Sequence, residues 1–170
     1  MNIDELIAAY PDFPEEGILF RDISPLLKSA EAMAWTKISL ANGISEWSPD
    51  YIAGIDARGF LFSALVADSL GIGSIMVRKE GKLPGKLDTR NYSLEYGSSG
   101  LSIQTDSNLK GARIVLMDDL LATGGTFNCA KELFEFQKAH VIGCAVVIEL
   151  KGLKGRESID CPVFSLKQYD

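Results

Sequence analysis

Two stretches of this chain are almost continuously apolar: Arg113–Met117 (RIVLM) and Val141–Leu150 (VIGCAVVIEL). A strand with one wet face alternates polar and apolar residues, so runs of this kind predict strands covered on both faces. Tyr51–Asp56 (YIAGID) and Ser74–Val77 read the same way, and Pro162–Leu166 reads as a shorter strand. Helical patterns lie between them. Gly59–Leu70 and Thr126–Lys138 are predicted helices, the second with Phe127, Ala130, Leu133, Phe134 and Gln137 spaced as one face. Strands alternating with helices imply an α/β fold with a central, mainly parallel sheet flanked by helices. Ligands of such sheets bind beyond the carboxyl ends of the strands, so function is sought in the segments that follow each strand.

The remaining segments are shorter. Residues 2–9 predict a short helix, broken by Pro11-Asp12-Phe13-Pro14. Gly17–Phe20 is a brief apolar stretch that runs into Arg21-Asp22. Ser24-Pro25 opens a further helix with proline at its first position. From Ala30 to Trp47, Met33, Leu40, Ile44 and Trp47 fall near one helical face. Residues 78–90 form a polar, basic loop containing glycine and proline. Tyr92–Tyr96 and Leu101–Thr105 are expected to pair as a hairpin across Gly97–Gly100. The 170 residues contain no repeat, low-complexity tract or linker, so a single domain over 1–170 is expected.

Charge and composition exclude several function classes. With 46% hydrophobic and 24% charged residues the chain reads as an ordinary globular domain. A net charge of −6 argues against a nucleic-acid partner, and it requires that any anionic ligand be held by a local basic cluster or by backbone amides. No apolar run approaches the ~18–20 residues of a membrane helix, so no membrane association is expected. The opening MNIDELIAAY, with two acids and no base, is unlike a secretory signal. Cys129, Cys144 and Cys161 are scattered and odd in number, which predicts three reduced thiols in a cytoplasmic protein. The single histidine, His140, precedes an apolar run and reads as structural, so mechanisms built on Ser-His-Asp or Cys-His are set aside.

The segment Ile114–Thr126 (IVLMDDLLATGGT) carries the most chemistry. A buried strand runs into two adjacent carboxylates, Asp118 and Asp119, and then a turn. Ala122-Thr123-Gly124-Gly125-Thr126 opens a helix. The glycines lack Cβ, so backbone N–H groups can line a tight concavity. The hydroxyls of Thr123 and Thr126 add donors, and the helix N-terminus adds partial positive charge. This is a phosphate monoester site, and it is no Walker A loop because no lysine follows the glycines. Carboxylates beside a phosphate repel it unless something lies between. Ribose does so, with its 5′-phosphate in the cradle and its 2′- and 3′-hydroxyls donating to Asp118 and Asp119. A divalent ion on the same hydroxyls would also be accommodated.

This string resembles the motif with which type I phosphoribosyltransferases bind 5-phosphoribosyl-1-pyrophosphate (PRPP). The wider chain is similar to the adenine-specific branch of that family. The resemblance runs through Pro11–Pro25 (PDFPEEGILFRDISP), Tyr51–Phe62 (YIAGIDARGFLF), Arg78–Gly85 (RKEGKLPG), Tyr92–Gly97 (YSLEYG), Asp118–Thr126 and Leu153–Glu157 (LKGRE). It implies the type I phosphoribosyltransferase fold, with an N-terminal hood over about 1–28 and a flexible lid hairpin over about 78–105. It implies a homodimer and a role in purine salvage: transfer of the phosphoribosyl group from PRPP to adenine, giving AMP and pyrophosphate.

The resemblance also assigns roles. Asp56, Ala57 and Arg58 form the pyrophosphate loop, with a cis peptide near Asp56–Ala57. Arg78, Lys79 and Lys82 add lid cations, whereas Lys86 reads as a solvated charge. Glu80 departs from the family pattern and lowers the local positive charge. Glu95 resembles the acid that assists proton transfer at the purine, and Tyr96 a gating residue of the lid. Arg58 and Glu95 are thus the catalytic candidates. Leu19, Phe20 and Arg21 are carried over as the adenine site. There Phe20 stacks on the ring or is simply core, and the Arg21 backbone reads the Watson–Crick edge. Mg²⁺ is expected to be held mainly by PRPP and water, with Asp118 or Asp119 assisting, and no all-protein cage. Two other readings stay open on the sequence: a different purine or pyrimidine base, and a non-catalytic PRPP-sensing regulator.

Overall fold

The computed structural model describes residues 1–94 and 97–170. Glu95 and Tyr96 lie outside the described residues. The main sheet contains strands β3 (Tyr51–Ile55), β4 (Gly73–Lys79), β5 (Leu87–Leu94), β6 (Gly97–Gln104), β7 (Arg113–Leu121), β8 (His140–Leu150) and β9 (Val163–Tyr169). Its order is β5-β6-β4-β3-β7-β8-β9. The five strands from β4 to β9 are mutually parallel, and β5 and β6 are attached antiparallel at one edge.

Alternating burial explains the apolar runs. Along β7, Ile114 and Leu116 enter one core, which lies beneath α4 (Gly125–Phe136). Val115 and Met117 enter the other, beneath α2 (Ala30–Ser45) and α3 (Gly59–Leu70). Along β8, Cys144 and Val146 face the first core while Ala145 and Val147 face the second. A strand covered on both sides has no position that favours a polar residue. Helix α1 (Ser24–Lys28) carries Pro25 in its first turn, as expected. No helix among the described residues is long and apolar enough to cross a membrane.

The chain direction creates the site. From β3 the chain moves outward to β4, then returns to place β7 on the opposite side of β3. The carboxyl ends of β3 and β7 therefore flank the switch point of the sheet, where the two following loops diverge and leave a crevice. Residues 56–59 leave β3 there, and residues 122–126 leave β7.

Several sequence expectations need correction. Residues 2–9 are not one helix: Ile3–Leu6 makes a single 3-10 turn, and Ala8–Pro11 is strand β1. Ile3 and Ile7 are both buried, so the helical spacing of apolar residues is real. Pairing of β1 with β2 (Leu19–Asp22), Tyr10 opposite Phe20, draws the backbone into a strand. The basic loop is shorter than 78–90, because Arg78 and Lys79 end β4 and Leu87 begins β5. The hairpin does not turn at Gly97–Gly100. Leu94 pairs with Gly97 and Asn91 with Gly100, so these glycines lie within β6. Gly100 is buried and a Cβ there would meet Glu80 Oε2 at 2.7 Å, so glycine is required for packing and not for a turn. Strand β7 continues past Met117 to Leu121, which places Asp118 and Asp119 inside the ladder and moves the turn expected after them beyond Leu121. The short helix α5 (Gly155–Ser158) was not expected at all.

A Cβ on Gly59 would lie 2.6 Å from the Met117 carbonyl oxygen and 3.2 Å from Asp118 Cα. Replacing Gly59 by Ala should therefore push α3 away from β7. Urea unfolding is expected to report a loss of about 1–3 kcal/mol, accompanied by weaker nucleotide binding; wild-type stability would contradict this close contact.

Candidate active site

At the switch point a cavity of about 170 Å³ is lined by Arg58, Asp118, Asp119, Leu120 and the loop from Ala122 to Thr126. Arg58 ends the β3 loop. Its Nε lies 3.0 Å from Asp119 Oδ2. Asp119 is 3% exposed, and its Oδ2 has no hydrogen-bond partner among the described residues. The contact is therefore an attraction of charges whose N–H is not aimed at the oxygen. A buried acceptor left in this state is primed for a donor such as a ribose hydroxyl.

The two carboxylates are perturbed in the same direction. Burial, then the charge of Asp119, pushes Asp118 well above its ordinary value of 3.8. Burial also raises Asp119, and Arg58 opposes that rise. The Asp119 N–H donates to Asp118 Oδ1 at 2.8 Å, which fixes the first acid in place. Among the described residues no group of three or more His, Cys, Asp or Glu side chains is arranged to hold a metal ion. A raised carboxylate pair with an orphaned oxygen suits a divalent cation that arrives with its ligand, since the cation would neutralise charge the protein holds at a cost.

The phosphate loop rests on α5. Gly124 adopts φ +88°, and a Cβ there would meet Ser158 Oγ at 2.2 Å. Gly155 would place a Cβ 2.2 Å from the Ala122 carbonyl oxygen. Ser158 Oγ donates to the Thr123 carbonyl at 2.9 Å, and Asn128 Nδ2 donates to the Ser158 carbonyl at 3.1 Å. Arg156 anchors this helix through the buried Glu149, its Nε at 2.8 Å from Oε1. Glu149 also accepts from Ser165 Oγ at 2.7 Å and Gln168 Nε2 at 3.0 Å. The Arg156 guanidinium, aided by these donors, holds Glu149 down at about 2. The sequence reading matched Leu153–Glu157 to the family but gave it no role. Its only further signal was a glycine, Gly155, beside two charges.

The Asp56 carboxylate is engaged by β4. Its Oδ2 accepts from Arg78 Nε at 3.1 Å and from the Lys79 N–H at 3.3 Å. Arg78 Nη1 donates in turn to the Lys82 carbonyl at 3.2 Å. Asp56 thus ties together the Arg78 side chain and the Lys79 backbone, and Arg78 in turn holds the Lys82 backbone. The Asp56–Ala57 bond is cis. Glu80, the residue that departs from the family pattern, lies against Gly100 at the hairpin. The hairpin base is docked on α4 through Gln137 Nε2, which donates to Asp88 Oδ2 at 2.8 Å, and through Arg90 over the Phe136 ring at 4.5 Å.

On β2 the three expected adenine residues split by strand alternation. Phe20 faces an apolar cavity of about 590 Å³ with Tyr10, Pro11, Phe13 and Asp22. Its ring meets Phe13 edge-on at 5.2 Å, and the Arg58 guanidinium carbon lies 5.7 Å from its centroid. Leu19 and Arg21 point to the other side, toward Leu153 and Tyr169. The Arg21 guanidinium stacks on Tyr169 at 3.9 Å, which leaves only its backbone on the Phe20 side.

A family model described as "Phosphoribosyl transferase domain" matches residues 22–169. The adenine phosphoribosyltransferase of Rhodospirillum rubrum is 48% identical over 170 residues, covering 100% of this chain and 99% of the relative. The chain belongs to the adenine phosphoribosyltransferases. The enzyme of this family from Thermoanaerobacter pseudethanolicus superposes with a TM-score of 0.94 at 42% identity, over 98% of each chain. That of Saccharomyces cerevisiae, solved with an imino-altritol bisphosphate and adenine, gives 0.89 at 38% identity, over 97% of this chain and 96% of its own. Membership in the adenine phosphoribosyltransferases accounts for the cluster of Arg58, Asp118, Asp119 and 122–126 at a single crevice.

Because folding raises the Asp118 pKa, its ionised form opposes folding at neutral pH. That cost is absent below 3.8, where folded and unfolded chains are both protonated. Replacing Asp118 by Asn should therefore raise the melting temperature at neutral pH, with the gain shrinking to nothing as the pH falls toward 3.8. The same change should weaken PRPP binding by roughly 1.5–3 kcal/mol, the worth of a charged hydrogen bond. Thermal unfolding and ligand titration across pH test both halves, and an unstabilised variant would refute the burial argument.

Proposed function

We propose that this crevice transfers the 5-phosphoribosyl group of PRPP to adenine, forming AMP and releasing pyrophosphate. The observation that carries the reading is the convergence of Arg58, the Asp118–Asp119 pair and the 122–126 loop on one cavity, with Phe20 beside Arg58. The loop holds the 5′-phosphate through the N–H groups of Ala122 to Thr126 and the hydroxyls of Thr123 and Thr126. The ribose hydroxyls donate to Asp118 and to Asp119 Oδ2, which lacks a hydrogen-bond donor among the described residues. This fixes C1 between the base and the leaving group.

Pyrophosphate departs toward Arg58, Arg78, Lys79 and Lys82, with Arg78 already oriented by Asp56 before the reaction. Asp56 aims Arg78, and Ala57 offers backbone at the same turn. Asp118 or Asp119 would help hold a Mg²⁺ that arrives chiefly bound to PRPP, and the ion would supply neutralisation of phosphate charge. Adenine N9 attacks the opposite face of C1 as the C1–O bond breaks, and the anomeric centre inverts. Glu95 assists proton transfer at the purine, and Tyr96 helps close the lid; both assignments rest on family resemblance. Closure keeps water from an electrophilic sugar.

Phe20 stacks on the adenine ring. The Arg21 backbone supplies the selective contacts: its carbonyl accepts from the 6-amino group and its N–H donates to N1. With its side chain drawn onto Tyr169, Arg21 presents only that backbone edge. A 6-oxopurine would set acceptor against acceptor and donor against donor. A homodimer is part of the reading. Leu61 and Leu65, one turn apart on α3, and Met76 on β4 are exposed apolar residues that suit a second copy.

With PRPP and Mg²⁺, adenine should yield AMP while hypoxanthine yields no nucleotide; failure to make AMP would overturn the proposal. Phe20→Ala should raise the KM for adenine by up to roughly tenfold, the worth of one aromatic stack, with a smaller change in kcat. Glu95→Leu should slow turnover by roughly 10²-fold or more while AMP still binds, and wild-type turnover would remove Glu95 from the mechanism.

A further inference from the structure

Cys144 lies in the buried middle of β8, and Cys161 lies between α5 and β9. Their spacing in sequence gave no sign of a pair, but their Sγ atoms are 3.7 Å apart. The backbones are already joined, since the Cys144 N–H donates to the Pro162 carbonyl at 2.9 Å. A disulfide needs sulfurs at about 2.05 Å, so side-chain torsions and a small backbone adjustment separate the two states.

The two thiols differ in kind. Cys144 is 1% exposed, whereas Cys161 is half-buried and reachable from solvent. Lys131, held by Asp160 and Glu135, brings an ammonium near Cys161. The S–H of Cys144 draws the Cys161 thiol below its ordinary value; burial opposes this, the ammonium adds to it, and Asp160 and Glu135 oppose it. Cys161 is thus suited to attack, and Cys144 to resolve. The third cysteine, Cys129, instead donates its S–H to the Arg90 carbonyl at 3.4 Å.

We propose that Cys144 and Cys161 form a reversible dithiol–disulfide site, and that its oxidation disturbs the 5′-phosphate loop. The Cys161 thiolate attacks hydrogen peroxide, breaking the O–O bond. Cys161 becomes a sulfenic acid and hydroxide leaves, to be protonated to water. Cys144 sulfur then displaces the sulfenic hydroxyl, which leaves as a second water, and the S–S bond forms. Two thiols lose two electrons and two protons, and one peroxide becomes two waters.

The link to the loop is short. Drawing Cys161 toward β8 tensions Asp160 and Ile159, the buried residue that closes α5. Ser158 precedes them. Its Oγ holds the Thr123 carbonyl at 2.9 Å and fills the space a Gly124 Cβ would occupy. Shifting Ser158 therefore shifts Thr123 and Gly124. This half of the proposal rests on the phosphoribosyl-transfer reading of the site.

The full chain would be treated with hydrogen peroxide, alkylated, and analysed by intact mass and peptide mapping. The expected product has lost two hydrogens, links the Cys144 and Cys161 peptides, and reverts with dithiothreitol. In the linked protein the KM for PRPP should rise roughly threefold or more, as for one weakened hydrogen bond, with kcat changed less. Cys161→Ser and, separately, Cys144→Ala should neither cross-link nor respond in KM. Oxidation of Cys161 to a sulfinic acid without a link would overturn the site. A link with unchanged KM would overturn its coupling to the loop. Failure of the reduced protein to make AMP would sink the transfer reading, while the mass readout would still decide the thiol chemistry.

Discussion

A side chain on Gly59 would collide with the Met117 carbonyl oxygen at 2.6 Å. Its absence lets the first turn of α3 rest directly on the end of β7, and the site depends on that contact. It delivers Arg58 to Asp119 and carries the same guanidinium to within 5.7 Å of the Phe20 centroid. One cation thereby pairs with Asp119 and lies beside the Phe20 ring. Without so close an approach, the loops after β3 and β7 would be separate features of a sheet edge and not two walls of a crevice.

The crevice concentrates groups that disfavour folding. Asp118 and Asp119 are adjacent, buried and raised in pKa, and Asp119 Oδ2 lacks a hydrogen bond among the described residues. They are held there by the β7–β8 ladder, which continues past both acids to Leu121 opposite Glu149. Glu149 belongs to a fully partnered cluster with Arg156, Ser165 and Gln168. The neighbouring clusters thus have opposite characters: one fully hydrogen-bonded, the other short of a donor among the described residues. The rigid cluster also fixes α5, which supports the phosphate loop from behind.

Much of this was legible in the chain. Buried parallel strands must be apolar on both faces, so β7 and β8 announced themselves. Glycines between a buried strand and an amphipathic helix mark a tight turn, so the 122–126 loop into α4 did too. The basic residues of RKEGKLPG were recognisable, but their arrangement was not: nothing there says that Asp56 aims Arg78, because the partners are 22 residues apart. The helix expected at 2–9 failed because pairing with β2 outweighs local spacing. The turn expected at Gly97–Gly100 failed because packing against Glu80, not backbone conformation, is what Gly100 serves.

Sequence by itself determined the fold class and the family, because local backbone chemistry requires particular residue types in a fixed order. Tertiary structure alone decided which groups share a face. It split Phe20 from Leu19 and Arg21 by strand alternation, set α5 behind the phosphate loop, and brought Cys144 to 3.7 Å from Cys161. Contacts of that kind depend on how strands register and helices pack across the sheet, and no short window of sequence encodes them. Ile114–Thr126 therefore names the chemistry, while the approach of α3 to β7 at Gly59 assembles it.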